Sequence, residues 1–110
     1  NLWDPRARIL FTGDIGAALL PPGKIHELFV EDFDEHVKYI TIFHQRWMAS
    51  NQAKNEWCAR VRSLRPEMLC PQHGSIYRGE AVHRFIDWFE ALEVGVLGVT
   101  PPDLDLGSRG

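Results

Sequence analysis

Two short apolar runs constrain this chain more than anything else in it. Arg8 to Thr12 runs into Gly13-Asp14-Ile15-Gly16, and Met68-Leu69-Cys70 runs through Pro71 into Gln72-His73-Gly74. Each reads as a strand that stops at a glycine turn beside a residue able to bind a metal. The first run is mostly apolar, so it is expected to be buried on both faces. Two short strands make too small a sheet to stand alone. The sequence therefore reads as an α/β half-domain whose sheet edge pairs with a partner that lies elsewhere.

The rest is helical punctuation. Asp4-Pro5 signals a turn, and Pro21-Pro22-Gly23 opens a connection running to about Asp32. A first helix is expected from near Asp34, capped there, with Val37, Ile40, Phe43, His44 and Trp47 at helical spacing. Ser50 or Asn51 breaks it and caps a second, carrying Ala53, Trp57, Val61 and Leu64 on one face until Pro66 stops it. The last helix runs from about Glu80 to Leu92, with Val82, Phe85, Ile86, Phe89 and Leu92 as its apolar face. Leu97 and Val99 suggest a further short strand or packed segment. Residues 1–99 read as the domain portion and residues 100–110, rich in Pro, Gly and Asp, as a tail or linker. A start at Asn1, without Met, reads as a piece cut from something longer.

Composition narrows the function classes. The 110 residues carry a net charge of -3 and no run of Lys and Arg, so no phosphate-binding stripe for nucleic acid is formed. No segment has the length and apolarity of a membrane span. Cys58 and Cys70 form neither a CxxC pair nor a dense framework, which suits reduced thiols in a cytoplasmic protein.

Loops at the carboxyl ends of parallel strands are where α/β sheets build their sites. Asp14 and His73 fall at two such ends, and a carboxylate with an imidazole makes part of a hard or borderline metal site. Taken alone, Gly-Asp after a strand is more often a turn, and His-Gly more often a loop. Two ligands also do not hold a catalytic ion. The other histidines do not fill the gap. His26 lies in the Pro-rich connection, as a surface or lid residue. His36, His44 and His83 fall on helices, as structural or surface groups. Cys58 reads as a small core residue, and Cys70 as packing close to the His73 loop. Tyr77 and Arg78 follow His73 and suit either the mouth of a pocket, where they meet an anion or a reduced oxygen species, or plain packing. Trp47, Met48 and Trp57 read as core or interface residues. No phosphate loop and no Ser-His-Asp arrangement is present.

Taken together, ILFTGDIGAAL, WMASNQAKNEWCARVRSLRP and MLCPQHGSIYRG resemble the metallo-β-lactamase fold, and within it the flavodiiron and oxygen-binding diiron proteins. The resemblance extends over about Leu2 to Val96. It implies the C-terminal half of an αββα sandwich with a two-metal site at the edge between its halves. It also implies Asp14 as the carboxylate bridging both metals and His73 as the last histidine ligand, on one of them. The His-x-Glu-x-Asp-His motif of that family is absent here, so a first half, as a separate chain or the remainder of the same one, is implied to supply the other ligands. The implied cofactors are two Fe ions, or two Zn ions if the chain belongs with the hydrolases of the fold. No flavin-binding loop is found in this chain. The implied function is an oxygen-binding or oxygen-reducing diiron module, acting on O2 or NO. The alternatives are a dinuclear zinc hydrolase and a non-catalytic half-domain fragment. A homodimer and an electron donor are the further partners implied. The position of Tyr77, close after His73, makes it a candidate to steady bound oxygen under that reading.

Overall fold

In the computed structural model, residues 1–47 and 50–94 are described, the side chains of Arg46 and Trp47 excepted. The expectations for Trp47, Met48, Leu97, Val99 and the 100–110 tail lie outside that description.

The sheet has four strands in the order β1 (Leu2–Asp4), β2 (Ile9–Gly13), β3 (Met68–Pro71) and β4 (Tyr77–Arg78). β2 and β3 are the two strands read from sequence, and they pair in parallel, with Leu10 opposite Leu69 and Phe11 opposite Cys70. β1 and β4 add antiparallel edges on either side. They correct the expectation of two strands. With three residues and two, they are too short to show any alternation in sequence.

The cross-strand row Trp3, Leu10, Leu69 and Tyr77 packs under the helices. The alternate row, Leu2, Phe11 and Cys70, lies on the other face, where Leu2 is 70% and Phe11 43% exposed. β2 is therefore covered on one face only. A sheet with large apolar side chains open on one side is one layer short of a sandwich.

The first helical stretch is interrupted, not continuous. α1 (Phe33–His36) gives way to a 3-10 turn at Val37–Tyr39, and α2 (Thr41–Trp47) follows. Asp32 is the N-cap, its carboxylate accepting the Glu35 N–H at 3.2 Å. The interruption falls among β-branched Val37, Ile40, Thr41 and Ile42, which crowd a preceding helical turn. Thr41 Oγ1 donates to the Val37 carbonyl there at 2.8 Å.

α3 (Asn51–Leu64) begins at Ser50, whose hydroxyl accepts the Ala53 N–H, and ends at Arg65 in a left-handed conformation before Pro66. Its buried face is Lys54, Trp57, Cys58 and Val61. Ala53, expected inside, is exposed, and Lys54 takes the inner position. The Lys54 ammonium donates to the Glu90 carbonyl and the Asn55 side chain, which is how a buried cation is tolerated.

α4 (Glu80–Ala91) buries Val82, Phe85, Ile86 and Phe89 as read from sequence. Phe85, Phe89, Trp57, Trp88 and the ring of His44 meet at centroid distances of 5.3–6.4 Å. This aromatic cluster supports the sheet from below the loops that follow β2 and β3. Among the described residues no helix is long and apolar enough to cross a membrane.

Candidate metal centre

Parallel pairing of β2 and β3 puts the Asp14 and His73 loops side by side. The Gln72 N–H donates to the Gly13 carbonyl at 2.7 Å, and the Ala18 N–H donates to the His73 carbonyl at 3.3 Å. A Cβ on Gly74 would stand 2.9 Å from the Ala18 nitrogen, so only glycine lets the two loops mesh this closely.

Turn bonds organise the loop after β2. The Ile15 N–H reaches the Thr12 carbonyl, the Ala17 N–H reaches the Asp14 carbonyl, and Thr12 Oγ1 donates to the Ile15 carbonyl at 2.6 Å. Ile15, Gly16, Ala17 and Ala18 are buried, while Asp14 is half-buried. The Asp14 carboxylate and the exposed His73 ring make no hydrogen bond or ion pair with another group among the described residues. Both therefore keep their donor atoms available, and a carboxylate with an imidazole fits iron as well as zinc. Among the described residues, however, no three His, Cys, Asp or Glu side chains converge. Asp14 and His73 form at most part of a ligand set.

The other sequence candidates fall elsewhere. His26 and His83 are exposed, and His36 and His44 are buried. Cys58 is fully buried and its thiol is pushed up to about 11 by burial, which suits a core residue and not a nucleophile. Cys70 is a half-buried free thiol, also pushed up by burial. Arg78 lies 3.6 Å above the Phe29 ring and 3.6 Å from Glu31.

Tyr77 does not stand at a pocket mouth. It is fully buried against Phe85, and burial drives its phenol well above the usual range. Its hydroxyl donates to the Gly16 carbonyl at 2.9 Å and lies 3.1 Å from His36 Nε2. The same glycine donates its N–H to His44 Nε2 at 2.7 Å, and His44 Nδ1 lies 2.7 Å from the Ile40 carbonyl. Burial pushes His36 down to about 4. It also pushes His44 down, against the opposing pull of the Ile40 carbonyl and the Asp14 charge. Sequence reasoning missed this grip on Gly16. The available signal was His44 sitting on the apolar face of its helix, where an imidazole needs polar partners that a pattern does not name.

Comparison with known proteins gives the context. A family model described as "ODP family beta lactamase" matches residues 1–74. Two solved structures are similar: "Peroxy diiron species of chemotaxis sensor ODP" and "Apo state of chemotaxis sensor ODP from T. denticola". Each is 47% identical with a TM-score of 0.78, covering 86% of this chain and 38% of the other. This chain thus spans well under half the length of those proteins. No curated protein matches. With two thirds of its length under the family model and that identity over most of it, the chain is part of a metallo-β-lactamase-type domain and belongs to the ODP family.

Proposed function

We propose that this chain is the C-terminal half of a diiron, oxygen-binding sensor domain, with Asp14 and His73 as its contribution to the ligand set. The observation that carries the reading is the 47% identity, over 86% of the chain, to a chemotaxis sensor of which one structure is described as a peroxy diiron species. The sheet face left open at Leu2 and Phe11 suits a domain completed by its other half. That half supplies the remaining ligands. Residues 1–99 are the domain portion, and 100–110 a tail or linker.

Iron supplies what zinc does not, a change of oxidation state that lets O2 bind and accept electrons. The task of this chain is to hold a carboxylate and an imidazole at adjacent strand ends with their donor atoms unengaged. A homodimer and an external electron donor complete the proposed assembly.

Metal analysis of the intact protein loaded with iron and zinc in competition tests the reading. About two iron per domain, with an absorption change on exposure to O2, is the expected result. About two zinc, with no iron retained and no response to O2, would support a hydrolase and overturn it.

A further inference from the structure

The grip on Gly16 has a direction. A phenol carries one proton and a carbonyl none, so the Tyr77 proton lies on the Gly16 carbonyl. His36 Nε2 must then be the donor to the phenol oxygen. The Gly16 N–H needs a bare nitrogen, so His44 Nε2 is unprotonated and Nδ1–H donates to the Ile40 carbonyl. The two buried histidines therefore hold opposite tautomers, both fixed by one glycine. Gly16 has φ +92, and a Cβ there would stand 3.0 Å from Tyr77 Cε1, so the loop can approach its holders only as glycine.

Gly16 lies two residues beyond Asp14, in the turn closed by the Ala17 N–H on the Asp14 carbonyl. We propose that His44 and Tyr77, the latter backed by His36, are positioning residues for Asp14, holding both polar groups of Gly16 so that the Asp14 carboxylate is presented to a metal in one direction. This rests on the diiron reading above and extends it from ligands to the groups that aim them. The phenol acts through the Gly16 backbone. Groups behind metal ligands commonly change metal affinity ten- to a hundredfold when removed.

The test uses the intact protein loaded with iron. Tyr77→Phe removes only the hydroxyl. His44→Leu removes the acceptor, and His44→Gln restores one, its Oε1 taking the place of Nε2. Tyr77→Phe and His44→Leu are expected to weaken iron retention against a chelator about tenfold and to alter the Mössbauer spectrum of the iron. His44→Gln is expected to recover most of the loss. Unchanged retention and spectra in both Tyr77→Phe and His44→Leu overturn the proposal, and a His44→Gln no better than His44→Leu overturns the part of His44. Should the variants fail to fold, imidazole ¹⁵N shifts of the wild type decide. Nδ1–H at His44 with Nε2–H at His36 is expected, and the reverse at either overturns it. A wild type that takes up no iron defeats the diiron reading instead, while the tautomers still judge the clamp.

Discussion

His44 and His73 both hold the loop that follows β2, but with opposite ends of the residue. His44 uses its ring, which takes the Gly16 N–H and engages the Ile40 carbonyl with its other nitrogen. His73 uses its backbone carbonyl, on the Ala18 N–H, and leaves its ring exposed. One imidazole is committed to the fold on both nitrogens, and the other is committed to nothing in the described protein. The contrast separates two uses of one residue type by what the nitrogens touch. A ligand needs a nitrogen that the protein does not already hold.

The largest effect tests whether packing seats His44. Phe89 is fully buried, with its ring 5.3 Å from that of His44. Phe89→Ala should cost about 3–5 kcal/mol of stability, read by denaturant unfolding. A loss below about 1 kcal/mol would mean that the aromatic cluster is not what fixes the ring.

Next is the histidine itself. His44→Leu strands a buried N–H and should cost about 1–3 kcal/mol in the metal-free protein. His73→Ala should change metal-free stability by less than about 0.5 kcal/mol, as exposed positions do, yet lower iron binding. Equal stability losses in the two variants would erase the distinction between them.

A pH series sharpens the same contrast. His36 is held down to about 4 by burial, against an ordinary value near 6.5. Above about 6.5 it is neutral whether folded or not, so it adds no slope. Between about 6.5 and 4 the unfolded chain takes a proton that the folded one refuses, and stability falls as pH falls. Below about 4 both are protonated and the loss stops growing. Melting curves from pH 7 to 4 should show this decline, and His36→Gln should make it shallower, the buried His44 adding a decline of the same sign. An unchanged slope in His36→Gln would remove His36 from the account.

A small effect is expected far from the loops. Arg62 pairs with Asp87 and Glu90 across α3 and α4 on an exposed surface. Arg62→Ala should cost about 0.2–1 kcal/mol, and less as salt is raised.

Much of this was legible in the residues. The apolar spacing of Val82, Phe85, Ile86 and Phe89 named the buried face of α4. The glycine turns after two apolar runs placed Asp14 and His73 at the ends of two strands, which parallel pairing sets side by side. What escaped were features that depend on distant partners. β4 is two residues held by pairing with β3, so nothing local announces it. Lys54 is buried because the Glu90 carbonyl is waiting there, a fact no helical period carries. Tyr77, close after His73, suits a pocket mouth and plain packing equally on sequence alone. Pairing with β3 turns its side chain to the helix side, beside Leu69.

Gly74 has a consequence for thermodynamics as well as for shape. With no side chain there, the His73 and Ala18 backbones come close enough for the Ala18 N–H to reach the His73 carbonyl. Under the proposed assignment, Asp14 and His73 then behave as the two arms of one chelator. Once one arm has engaged, the other stands at high effective concentration because the two loops are hydrogen-bonded to each other. Gly74→Ala would remove neither arm. It would act by lowering that effective concentration, so the loss in affinity would come from separation of the arms, with every donor atom still present.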